Sequence, residues 1–301
     1  TTVAKLSVTR EGVTTPAMDL ALNYGLALDQ AKETALVRAL KLTGVQNQRP
    51  ILDVSLSAPL AVAWGKATDA VGDAVAQAVV TNFSLAEWKA LLGDMAGTLN
   101  ASLKLDSRKA GQELGFLLDG EIRDFVGLVA SNRVSEVGVL CNTRGTLTNL
   151  QFVALQALLL EVKRRAETAF KLTGSGTFDQ AATNADLRLS LQASLPRVLE
   201  LAPQPDLTAS NGTVAMNAQV SIRQQTQTVT GNLTLASLSG RYTEYPLKDL
   251  GGRVDFDMVQ QGPKLDLRQV RLALPPTTRA TNEARLSGQV DTTQSNAITG
   301  A

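Results

Sequence analysis

In GTVAMNAQVSIRQQTQTVTGNLTLASLSG, residues 212–240, side chains of opposite character change places step by step. Val214, Met216, Ala218, Val220 and Ile222 alternate with polar or small neighbours. After a glutamine- and threonine-rich turn, Val229, Leu233 and Leu235 resume the beat. Successive side chains of a strand point to opposite faces, so this pattern predicts two strands sharing one apolar face.

The same period runs through most of the chain. MDLALNYGLALD places Leu20, Leu22, Tyr24, Leu26 and Leu28 on one face and Ala21, Asn23, Gly25, Ala27 and Asp29 on the other. Residues 35–44, 51–58, 97–106, 114–122, 184–194, 252–258 and 264–274 also read as strands. In the last of these the apolar phase slips between Leu267 and Val270, and a bulge near Gln269 would return Leu265, Leu267, Val270, Leu272 and Leu274 to one face. Residues 150–165 fit both readings: Phe152, Leu155 and Leu159 have helical spacing, while the flanking segments favour strand, which is the expectation here.

Two short helices interrupt the strands. In SLAEWKALLG, Ser84 and Glu87 have the spacing of a capping box, Gly93 offers a left-handed stop, and Leu85, Trp88 and Leu92 fall on one side. SLPRVLELAP, from Ser194 to Pro203, is a weaker copy with an early proline. Glycine stands two places before an apolar residue at Gly97, Gly145, Gly176, Gly212, Gly231, Gly252 and Gly288, which reads as a strand-entry device. The fold class expected is mostly β: a long twisted antiparallel meander curled into an open groove, with a few short helices. It is expected as one elongated segment, residues 1–301, with loose sub-units of about 1–92, 93–202 and 203–301 and no separate catalytic domain.

Composition removes many functions. With 29 basic against 28 acidic residues and no basic run longer than Lys163-Arg164-Arg165, there is no footprint for nucleic acid. The chain has no histidine and one cysteine, which excludes Ser-His-Asp and Cys-His catalysis, histidine-containing zinc sites and thiolate clusters. Gly65-Lys66 lacks the flanking residues of a phosphate loop, and GSG at 174–176 lacks a third glycine. No enzyme activity, metal or cofactor is expected. The greasiest window, residues 150–162, is shorter than the roughly 20 residues of a spanning helix. The N-terminus has no signal-like segment and begins in an apparent strand, so the chain is expected to be a piece of something longer.

The remaining chemistry-bearing residues have bland readings. Asp255 and Asp257 share a strand face, as ligands or an acid pair would, but beside Arg253 they read as a solvated outer face. Cys141 reads as a small apolar residue. Asn-x-Ser/Thr triplets at Asn82, Asn100, Asn211 and Asn232 suit a chain rich in asparagine and threonine. Trp64 and Trp88 are expected to pack locally, and aromatics at 4% are too sparse for the girdles of an outer-membrane barrel.

The order VVTNFSLAEWKALLGDMAGTLNASLKLD resembles the AsmA-like, TamB-related proteins of Gram-negative bacteria, within the bridge-like lipid transfer group. So does YPLKDLGGRVDFDMVQQGPKLDLRQVRLALPP followed by ARLSGQVD. The resemblance spans about Met18 to Asp291 and is one of texture, without a catalytic signature. It implies a periplasmic segment of an inner-membrane-anchored protein, with phospholipid acyl chains moving along an apolar groove in support of outer-membrane lipid homeostasis. The anchor and any envelope partners would lie outside this chain. The lining expected is Leu20, Leu22, Leu26, Leu28, Leu99, Leu103, Leu105, Leu187, Leu189, Leu191, Val214, Met216, Val220, Val254, Phe256 and Met258. The rival is a structural or adhesin-like β-sandwich or scaffold whose inner face is a dry core, since alternation builds either.

Overall fold

The computed structural model describes residues 1–64, 73–129, 132–275, 282–291 and 298–299. Its contacts divide into two compact units, Thr1–Ala166 and Glu167–Ala301. The chain is mostly β, as the alternation predicts, and every strand pairing within the units is antiparallel.

The first unit opens with β1 (Thr2–Leu6), the small hairpin β2 (Thr9–Arg10) and β3 (Val13–Thr14), then β4 (Met18–Asp29), β5 (Thr34–Gln46), β6 (Arg49–Leu56) and β7 (Leu60–Ala63). It continues with β8 (Ala74–Ser84), β9 (Ala96–Arg108), β10 (Glu113–Val129), β11 (Asn132–Thr148) and β12 (Phe152–Arg164). Its main sheet runs β1, β4, β5, β6, β8, β9, β10, β11, β12, with β7 beside the first residues of β5. β12 settles the ambiguous stretch as strand from Phe152 to Arg164, with Leu150, Gln151 and Arg165 in the flanking turns.

The second unit contains β13 (Glu167–Asp179), β14 (Asn184–Ser194), β15 (Leu207–Arg223), β16 (Thr226–Tyr242), β17 (Tyr245–Gln261), β18 (Lys264–Leu274), β19 (Asn282–Asp291) and β20 (Ile298–Thr299), paired in chain order. The tight turns after β15 and β16 have two residues, the first at positive φ (Gln224, 54°; Thr243, 51°), which matches the right-handed twist of the flanking strands. The predicted bulge is present: pairing slips between Leu267 and Val270, so Leu267 faces Met258 and Val270 faces Phe256 on one side of the sheet.

Both helices form, but neither is capped as the sequence suggests. Residues Leu85–Trp88 make a 3-10 turn that runs into α1 (Lys89–Leu92), and Ser84 makes no side-chain cap bond. The Glu87 carboxylate is diverted: it accepts from Nε2 of buried Gln46, whose Oε1 in turn accepts from Trp88 Nε1 at 3.3 Å. Trp88 also stacks on Phe83, with centroids 5.3 Å apart. Leu85 is buried while Leu92 is exposed, so the apolar side is narrower than its spacing implied. Gly93 does stop the helix at φ 71°, its N–H donating to Lys89 O at 2.9 Å. α2 (Leu195–Leu201) follows an equally unbonded Ser194.

Each helix bridges two strands that pair with one another. Ser84 stands opposite Thr98 and Ser194 opposite Thr213, and each threonine follows a glycine at positive φ, Gly97 at 133° and Gly212 at 140°. The sub-unit divisions expected near residues 92 and 202 therefore fall inside strand-helix-strand connections.

Candidate functional site

Residues opposed across an antiparallel ladder share a face, so the registers trace which side chains lie side by side. In the second unit, Leu191, Met216, Leu233, Val254 and Leu272 form one row from β14 to β18. Leu189, Ala218, Gly231, Phe256 and Val270 form a second, and Leu187, Val220, Val229, Met258 and Leu267 a third. Val214 continues the face between Ala193 and Leu235. In the first unit, Leu22, Leu42, Val54, Ala78, Leu103 and Leu118 make one row and Leu20, Gly44, Leu52, Val80, Ala101, Gly120 and Cys141 the next. Leu105 lies between Ala76 and Phe116, and Leu99 between Phe83 and Ile122. Leu26 and Leu28 keep the parity of Leu22 and face Val37 and Ala35.

All sixteen residues expected as lining thus lie on the apolar face of their own unit. None of them is fully buried. Among the described residues the larger fully buried apolar side chains are Leu85 and Leu201 in the helices, Val134, Val137 and Leu238 beside bulges, Ile51 in β6 and Leu60 in β7, which faces Val37. The other face is polar. Thr173, Ser190, Asn217, Asn232, Asp255, Arg271 and Arg285 stand in one row, tied by Arg253 to Asp255 at 2.7 Å and Arg271 to Glu283 at 2.8 Å. Arg271, then Arg285, holds the Glu283 carboxyl down to about 2. Asp255 is accordingly part of a solvated ion-pair row, and no cluster of three or more potential metal ligands occurs among the described residues. Asn82 and Asn100 are joined by a bond from the Asn82 N–H to Asn100 Oδ1 at 2.8 Å. Cys141 is free and half-buried on the apolar face. The Gly65-Lys66 pair lies outside the described residues.

The recurrent glycines have a different use from strand entry. Gly145, Gly176, Gly231, Gly252 and Gly288 lie inside strands. Two residues apart means the same face, and Gly145, Gly176 and Gly231 each leave a gap on the apolar side that a large cross-strand neighbour fills: Phe116 over Gly145, Leu187 over Gly176, Phe256 over Gly231. These rings and leucines lie low on the sheet and smooth the face.

A second device escaped the periodicity altogether. Asn82, Asp124, Glu136, Ser237 and Asp249 sit within strands at φ of 50–57°, each at or beside a register shift and each followed by an apolar residue: Phe83, Phe125, Val137, Leu238, Leu250. Neighbouring bulges line up across the sheet, so that Phe125 faces Val137 and Leu238 faces Leu250. Each line creases its own sheet. The spacing repeats, from Asp124 to Glu136 and from Ser237 to Asp249, which is twelve residues in both units. The sequence signal was a polar residue and an apolar one breaking the alternation together. In the second unit α2 packs on β13, β14 and β15 at the crease, with Leu195 3.1 Å from where a Cβ on Gly212 would stand.

No helix of the described residues is long and apolar enough to cross a membrane. No protein-family model, curated protein or solved structure matches this chain.

Proposed function

We propose that this protein is a non-enzymatic carrier of phospholipid, holding acyl chains along the apolar face of the sheet strands in each of its two units while head groups stay in water. The observation that carries the reading is the pairing of continuity with exposure: apolar rows cross up to seven strands, yet none of the sixteen lining residues is sealed from solvent. Exposed apolar surface costs about 25 cal/mol per Å², and a contiguous patch beyond a few hundred Å² marks a binding surface. A dry sandwich core would have buried these side chains fully.

The chemistry of the rows favours acyl chains over a compact ligand. Leucine, valine, alanine and methionine dominate, glycine gaps are levelled by neighbouring side chains, and the charged groups of the second unit stand on the opposite face. Such a surface grips a flexible hydrocarbon by area alone and lets it slide. The resemblance to AsmA-like proteins extends the proposal to the periplasm of a Gram-negative envelope, with transport towards outer-membrane lipid homeostasis and anchoring by segments beyond this chain.

Mass spectrometry of an organic extract of the purified, folded chain tests the reading. Stoichiometric phospholipid is the expected result. Repeated recovery of folded, lipid-free protein from membrane-containing lysate refutes it in favour of a scaffold role.

A further inference from the structure

The central strands of the second unit, β15, β16 and β17, end differently at their two extremities. At one, Leu207, Tyr242 and Tyr245 stand in one row. At the other, Thr183, Arg223, Gln224, Gln225, Thr226 and Gln261 surround an open concavity of about 530 Å³. Its lining carries a guanidinium, hydroxyls and carboxamides, and no carboxylate. Arg223 donates through Nη1 to the Ala185 and Ile222 carbonyls at 3.1 and 2.9 Å and through Nη2 to Asp186 at 2.6 Å, which leaves its Nε–H without an acceptor among the described residues.

One residue further along each strand the side chains change face. Gln227 stands opposite Gln260 on the apolar side, between Ile222 and Leu265. Both glutamines are exposed, and Gln260 Nε2 spends one proton on the Gly262 carbonyl at 3.2 Å. The next row on that face is Val220, Val229, Met258 and Leu267. From the strand ends inward the order is therefore a cation among neutral donors, a pair of carboxamides, then hydrocarbon. A phospholipid has its groups in the same order: phosphate, ester carbonyls, acyl chains.

We infer that Arg223 and the residues around it seat the phosphate of the carried phospholipid, that Gln227 and Gln260 donate to its ester carbonyls, and that its acyl chains run along β15–β17 towards Tyr242. The inference rests on the carrier reading above and gives the bound lipid a direction. A charge-assisted bond to a phosphate oxygen is stronger than a neutral one. Asp186 offsets part of the Arg223 charge and the concavity is open to solvent, so the head group keeps its water and is held loosely enough to move on.

Titration calorimetry and side-chain amide NMR on the whole chain test this, with three probes: dihexanoyl phosphatidylglycerol, dihexanoylglycerol and inorganic phosphate. The phospholipid is expected to shift the Gln227 and Gln260 amides. Arg223→Gln is expected to weaken it about fivefold and to leave dihexanoylglycerol and the circular dichroism unchanged. Arg241→Gln, towards the other end of β16, changes neither lipid. Gln227→Leu combined with Gln260→Leu weakens both lipids, since both carry ester carbonyls. If both lipids bind Arg223→Gln as they bind the wild type, the seat is overturned and the carrier reading stands. Unmoved amides at both glutamines overturn it too, whatever the fold of the variants. Inorganic phosphate binding as tightly as the phospholipid would mark a free-anion site and refute the lipid assignment. Binding of neither lipid to the wild type ends this inference and the carrier reading together.

Discussion

Phe116 stands directly opposite Gly145, and a Cβ on that glycine would meet the ring's Cζ at 2.5 Å and the Ala154 carbonyl oxygen at 2.5 Å. The glycine is therefore a packing requirement of the apolar face. Gly145→Ala is expected to lower stability by about 1–3 kcal/mol through overpacking. Gly120→Ala, on the same face but with nothing nearer than 3.9 Å, is expected to change stability by less than about 0.5 kcal/mol. Urea denaturation midpoints check the pair, and equal midpoints would show that the ring moves aside freely.

Met216 and Asn217 are neighbours on opposite faces of β15, one half-buried on the apolar side and one exposed on the polar side. Met216→Arg keeps the β-rich circular dichroism, because the stem can lie along the face while the guanidinium reaches water. It sharply lowers co-purifying lipid and transfer between vesicles, whereas Asn217→Arg changes neither. Unfolding of Met216→Arg would indicate a dry core, and full lipid retention would show that acyl chains do not pass here.

The helix after β8 is held by Gln46 and not by its first residue. Ser84→Ala is expected to be nearly silent, within about 0.5 kcal/mol, since Ser84 makes no cap bond. Gln46→Ala removes the partner of both Glu87 and Trp88 in a buried setting and is expected to cost about 1–3 kcal/mol. Thermal melts of the two variants decide it; a larger loss for Ser84→Ala would restore the capping box.

Glu283 gives a pH signature. Its carboxyl is lowered from 4.5 to about 2, first by Arg271 and then by Arg285. A group lowered in the fold favours folding above its unfolded value and loses that contribution as pH falls through the folded one. The Glu283→Gln variant is therefore less stable than the wild type at neutral pH and approaches it as pH drops from about 4.5 towards 2. Carboxyl NMR titration gives the direct check, and a Glu283 midpoint near 4.5 would mean that solvent screens both arginines.

What was legible in the sequence followed from parity. Alternation depends only on local geometry, so the strand containing Met216, the slip at Gln269 and the apolar parity of the sixteen expected residues, each within its own unit, could be read directly. Glu87 could not, because its partner Gln46 lies 41 residues away and competes with the local cap. The interior glycines were misread for a related reason: their role is set by Phe116, Leu187 and Phe256 on adjoining strands. The creases at Asp124 and Ser237 need a left-handed residue that is not glycine, and local propensity penalises that choice.

In the second unit every strand from β13 to β20 pairs with the next along the chain. Closing a short turn costs little chain entropy, and each new strand docks on an edge already made. Such a sheet can grow hairpin by hairpin as the polypeptide emerges, without waiting for a distant segment. Its weak moment is the freshly finished edge, apolar on one side and still unpaired, so the speed of synthesis relative to docking sets how long each intermediate is open to aggregation.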